Sequence, residues 1–136
     1  MDKDDNINIP KLVDYWTISS DNDYSTMLDL FSTNHYNWSL FLGHLVIEKL
    51  LKAYYVQAKA AFPPLIHDLR RIGELAGLEF DEKQTIILDT ITRFNINARY
   101  DDYKSNFRQL CTKEFTETWI TNIKEVRIWI KMMLLK

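Results

Sequence analysis

From Tyr36 to Ala60 the chain contains no proline and a single glycine, Gly43. Across that stretch Trp38, Phe41, Leu42, Leu45, Val46, Leu50 and Tyr54 return at intervals of three and four residues. This is the period of one face of an α-helix, not of a strand. Leu40, Ile47, Leu51 and Tyr55 add apolar groups off that face, so the helix must be covered on much of its circumference. The polar stripe left over is narrow: His44, Glu48, Lys49 and Lys52. Glu48 precedes Lys52 by four residues, the favourable order for an ion pair along a helix.

A helix this apolar needs other elements to cover it, and the rest of the chain supplies helices. With only three glycines and three prolines in 136 residues, the punctuation of an all-β fold is missing. Near the C-terminus Phe115, Trp119, Ile123, Val126, Ile130 and Met133 form a second long seam, with Thr112 as its N-cap and Glu114 in its first turn. Trp129, Met132 and Leu135 lie off it on another stripe, which reads either as a surface for a homodimer or partner, or as a helix buried on two sides.

Shorter segments fill in. Pro10 suits the first turn of a short helix through Trp16, Ser19, Ser20 and Asp21 read as a polar break, and a second short helix is expected from Tyr24 to Phe31. Phe62-Pro63-Pro64 ends the long helix, and Pro64 suits the start of another, with Leu65, Leu69, Ile72 and Ala76 inward and Gly77 as its stop. Asp81 and Gln84 have the spacing of a capping box. The following TIILDTITRF is rich in β-branched residues, yet Ile87, Ile91 and Phe94 keep helical spacing, and a helix is expected. Residues 95–111 are polar and aperiodic and read as a long loop. The expectation is an all-α, up-and-down antiparallel bundle of four to five main helices, two of them long. A flexible tail at residues 1–9 would precede one domain over residues 10–136.

Bulk properties narrow the function. The formal net charge of −2 argues against a dedicated electrostatic nucleic-acid binder, so any such binding has to use a local patch. Cys111 is the only cysteine and can form no intramolecular disulfide, in keeping with a reducing compartment. The polar, acidic N-terminus has no apolar signal core, and no apolar run approaches the roughly 20 residues that span a bilayer. A cytoplasmic protein with no membrane contact is expected. The three histidines and Cys111 have no zinc-ligand spacing, and there is neither a Gly-rich phosphate loop nor a nucleophile elbow, so no metal or cofactor is expected.

Three ordered blocks carry a resemblance. Glu48-Lys49-Leu50-Leu51-Lys52-Ala53, then His67-Asp68-Leu69, then Ala98-Arg99-Tyr100 resemble the EK-x-LKA, HDL and ARY blocks of HEPN domains, the higher-eukaryote-and-prokaryote nucleotide-binding type, and specifically a stand-alone prokaryotic member. The likeness spans about residues 20–135. It implies a helical bundle of four or five helices that is usually a homodimer. In prokaryotes such proteins often act beside a minimal nucleotidyltransferase in toxin–antitoxin or defence-type pairs. Many members are metal-independent ribonucleases, and others bind RNA, nucleotides or proteins without catalysis. The catalytic members carry an arginine followed, after four to six residues, by a histidine. Here His35, His44 and His67 all precede the first arginine, Arg70, so no register produces that motif. Ribonuclease activity by the family's usual route is not expected.

The candidate residues each have a structural and a functional reading. Glu48, Lys49 and Lys52 are a solvated stripe with a helical ion pair, or a ligand-binding set whose lysines take phosphate. His67 fixes a helix start through its ring, or is a base acting with Arg99. Arg99, Tyr100 and Tyr103 offer a planar cation and stacking surfaces on a loop, or Arg99 pairs with Asp101, Asp102 or Glu48, while the two aspartates would repel a nucleic-acid backbone. His44 stands one turn from Glu48 and reads as an ordinary side-chain contact. The leading expectation is a noncatalytic module binding a nucleotidyltransferase-like protein, a nucleotide or RNA. The alternatives are a diverged metal-independent ribonuclease using Arg99, Tyr100 and His67 in a composite dimer site, and a purely structural interaction protein.

Overall fold

The computed structural model describes residues 7–101 and 105–135. Among them are six helices and no strand: α1 (Ile9–Ser32), α2 (Tyr36–Lys59), α3 (Leu69–Leu75), α4 (Glu82–Arg99), α5 (Asn106–Leu110) and α6 (Lys113–Leu134). α2 is the central rod, and α1, α3, α4 and α6 all pack on it.

α1 is one helix of 24 residues, where two short ones were expected. Asn8 caps it by accepting from the Lys11 amide, and Pro10 lies in its first turn. Asn8 and Ile9 belong to this helix start, and residues 1–6, the greater part of the tail expected over residues 1–9, lie outside the described residues. The polar run Ser19-Ser20-Asp21 does not break the helix because each residue has a partner elsewhere. Ser20 is fully buried and donates to the Val46 carbonyl at 2.8 Å. Ser19 accepts from Lys49, and Asp21 accepts from Arg127 and Lys131 of α6. Ser39 of α2 donates back to the Met27 carbonyl at 2.8 Å. The two serine contacts pair 20 with 46 and 27 with 39, so α1 and α2 run antiparallel and close together.

α2 ends at Ala60, whose φ of 53° is left-handed. At Gly43 a Cβ would overlap Ile123 Cδ1 and crowd Met27 Sδ at 3.3 Å, so glycine is what lets α6 approach α2. Beyond α2 residues 61–68, which include the double proline, form no helix, and α3 begins at Leu69 under an Asp68 cap rather than at Pro64. Leu65, expected on the inward face, is instead 96% exposed.

The Asp81–Gln84 capping box forms in both directions, at 2.7 and 3.0 Å. α4 then runs through Asn95 to Arg99, and α5 follows after a short link, so most of the loop expected over 95–111 is helical. Asp101 helps to start α5 by accepting from the Phe107 and Arg108 amides. Thr112 caps α6 through the Phe115 amide. Phe94 joins these parts, with ring centroids 5.9 Å from Phe107, 6.3 Å from Phe115 and 5.4 Å from Trp119. On the α6 seam Ile123 and Ile130 are fully buried. On its second stripe Trp129 packs on Phe80, while Met132 and Leu135 stay exposed. Among the described residues no helix is long and apolar enough to cross a membrane.

Candidate functional site

Three side chains one turn apart on α2 point into the same corner of the bundle: His44, Glu48 and Lys52, exposed by 0, 4 and 5% respectively. The solvated stripe expected from the sequence is therefore a buried one. It is covered by α1, by the non-helical segment after Pro64 and by α4. Lys52 donates to Glu48 Oε2 at 3.2 Å, and its ammonium lies 5.4 Å from the ring centroid of Trp16 on α1. The other carboxylate oxygen, Oε1, faces Nδ1 of His67 at 2.8 Å. The backbone carbonyl of His67 accepts from His44 Nε2 at 2.8 Å, and His44 Nδ1 accepts from the amide of Asn95 at 3.1 Å.

This chain of contacts fixes the state of His44. With Nε2–H donating to a carbonyl and Nδ1 accepting, the ring is neutral. Burial pushes its pKa below 6.5, while the bond to His67 and the charge of Glu48 pull the other way. Asn95 is itself 4% exposed. It ties α4 to α2 at the turn before Arg99. A second tie comes from Thr92, whose hydroxyl accepts from the Leu69 amide, and a third from Arg70, which donates to Asp89 at 3.0 Å. α2, α3 and α4 are thus held together by polar contacts at one corner.

The remaining sequence candidates separate into two groups. Lys49 is held by α1, donating to Ser19 at 2.8 Å and pairing with Asp23 at 2.6 Å. His67 keeps 62% of its side chain exposed, with Nδ1 on Glu48. Arg99 is the last residue of α4 and not part of a loop. It is exposed, its guanidinium carbon lies 5.1 Å from the Tyr100 ring centroid, and its charge suits the C-terminal end of the helix dipole. Tyr100 is 70% exposed and lines a shallow hollow with Asn97, Asp101, Asn106, Phe107 and Leu110. Glu48 is engaged by Lys52 and His67, the Asp101 carboxylate accepts from the α5 amides, and the Arg99 guanidinium lies against the tyrosine ring. Tyr103 and Asp102 lie outside the described residues.

Reasoning from sequence missed Asn95 and gave His44 too small a part. Asn95 sits four residues after Ile91 and three before Ala98, both buried, so the helical period already ran past Phe94. Among the described residues no group of three or more His, Cys, Asp or Glu is placed to hold a metal ion. Cys111 is 5% exposed, and burial with Asp101 nearby pushes its thiol up to about 12, far from a nucleophile's range.

No curated protein and no solved structure matches the chain. The family model for the HEPN domain matches residues 13–133. That span runs from the second turn of α1 to the last turn of α6 and takes in all three motif blocks, and the chain belongs to the HEPN domain family.

Proposed function

We propose that this HEPN domain is a cytoplasmic binding module without ribonuclease activity. Its Arg99–Tyr100 surface meets a nucleotidyltransferase-like protein, a nucleotide or RNA, in a toxin–antitoxin or defence-type pair. The observation that carries this reading is the closed polar corner. His44 has both ring nitrogens committed, and Glu48 and Lys52 are nearly sealed from solvent and bonded to one another, so they serve as scaffold. That scaffold holds the helix that carries Arg99, and Arg99 and Tyr100 supply an outward planar cation beside an outward ring. Such a pair suits a phosphate and a base, or a carboxylate-bearing protein surface. Titration with ATP and with a single-stranded RNA tests the ligand half. Arg99→Ala should weaken binding by roughly tenfold or more at an unchanged melting temperature. Equal binding by wild type and variant contradicts it.

One observation favours a second reading. His67 has the layout of an oriented base, with Nδ1 on a buried carboxylate and most of the ring in solvent. A diverged metal-independent ribonuclease would use that ring with Arg99 and Tyr100, in a site shared across a dimer. RNA cleavage that survives chelator and is lost in both His67→Ala and Arg99→Ala would establish it. A purely structural interaction protein would bind neither probe and cleave nothing.

A further inference from the structure

α4 and α6 both pack on α2, and they meet each other through aromatic rings at two places. Toward the C-terminal half of α4, Phe94 lies against Phe115 and Trp119. Just before its N-terminus, Phe80 meets Trp129 with ring centroids 5.9 Å apart and planes at 65°. Between these two contacts a cleft of about 270 Å³ opens along the helices. Leu88, which is buried, and Ile87 form its apolar wall on α4, and Val126 and the Trp129 indole form the wall on α6. The indole is well fixed for a wall of this kind. Its partner Phe80 packs so closely over Gly73 that a Cβ at position 73 would overlap the phenyl ring.

The charges around the cleft indicate what fills it. Asp81 and Glu125 line it, and both are exposed. A second hollow, which shares Asp81, Lys83 and Ile87 with the first, adds Glu82. Three carboxylates therefore stand against one ammonium, that of Lys83. The N-terminus of α4 adds roughly half a positive charge, too little to reverse the sign. Asp81 Oδ1 accepts from the Gln84 amide at 2.7 Å. Among the described residues Asp81, Lys83 and Glu125 form no ion pair. An anionic ligand would meet repulsion here, and a neutral apolar one would leave the carboxylates unused.

We infer that this cleft binds a small organic cation, a protonated amine carried on an aromatic or branched apolar body. The body lies between Ile87, Val126 and the indole of Trp129, and the ammonium reaches the carboxylates of Glu125 and Asp81. The indole face adds attraction for the cation itself. The volume falls just below the roughly 300 Å³ at which small-molecule sites begin, so it suits a compact amine and not a nucleotide. The inference goes beyond the binding function proposed above. The cleft lies at the opposite end of α4 from Arg99, roughly 25 Å along the helix axis.

Titration of the whole chain with phenethylamine, followed by backbone amide shifts in NMR spectra, tests it. Saturable shifts are expected over residues 81–88 and 122–129, and none over residues 96–101. Phenylacetate, with the same ring and the opposite charge, should not bind. Glu125→Gln should weaken the amine about tenfold, as the loss of a charge-assisted contact does. Lys83→Ala should tighten it by roughly twofold to threefold, because it removes the one repelling charge. Both side chains are exposed, so melting should match wild type. Arg99→Ala should bind the amine as wild type does, which separates this result from the fate of the Arg99–Tyr100 surface. Absence of saturable shifts, equal binding of phenylacetate, or a Glu125→Gln chain that titrates as wild type overturns the inference.

Discussion

Lys52 holds its ammonium 3.2 Å from Glu48 Oε2 with both side chains about nineteen-twentieths removed from solvent. Two opposite charges one helical turn apart are commonplace on a surface, where the pair contributes little. Inside the bundle the same pair acts differently, since neither charge can be rehydrated when its partner is removed. Lys52→Met should cost about 3 kcal/mol of unfolding free energy, by leaving the Glu48 carboxylate buried without its ammonium partner and with the hydrogen bond to His67. Glu48→Gln with Lys52→Met should cost clearly less than the sum of the two single changes. Urea unfolding of the four proteins measures the coupling. Additive losses would mean the two side chains do not act as a pair.

The state of His44 sets a pH dependence whose direction follows from its environment. Burial lowers its pKa in the folded chain below the unfolded value of 6.5. Between those two values the unfolded chain binds the extra proton, so stability falls as pH falls. The contribution is complete above the unfolded value and is lost as the pH drops through 6.5 toward the lower folded one. The wild type should therefore lose more stability between about pH 8 and pH 5 than a His44→Gln variant does, measured by urea midpoints. Parallel curves for the two proteins would show that the imidazole is not the titrating group.

Ala60 closes α2 in a left-handed conformation that favours glycine, with its amide bonded to the Val56 carbonyl at 2.9 Å. Ala60→Gly removes the strain on Cβ, keeps the bond, and should stabilise the chain by roughly 0.5–1 kcal/mol. Thermal melting measures it. A lower melting temperature would mean that the entropy of the unfolded chain outweighs the relief at this turn.

Much of the architecture was legible from local chemistry. The period of α2, the Asp81–Gln84 box, the Thr112 cap and the Gly77 stop each depend on a few neighbouring residues, and each is present as expected. Gly77 does turn left-handed, at φ 95°. The errors arose where a polar residue is satisfied by a distant one. Ser20 has the chemistry of a helix cap, but its hydroxyl meets Val46, 26 residues away. Asn95 looks like loop, but its amide meets His44, 51 residues away. Nothing within either segment announces such a partner. Leu65 fits an inward helical seam by spacing, but the two prolines before it delay the helix to Leu69 and turn it outward. The candidate site was half visible for the same reason. Glu48, Lys52 and His67 could be picked out as types, but their mutual contact depends on how the segment after Pro64 folds back over α2.

On the proposed function the polar corner is scaffold, and this HEPN domain binds without cutting RNA. Incubation of purified chain with mixed single-stranded and structured RNA in excess chelator, with Arg99→Ala and His67→Ala in parallel, tests it most directly. None of the three proteins should cleave RNA above the buffer control. Cleavage by the wild type that disappears in the Arg99→Ala chain would contradict the proposed function.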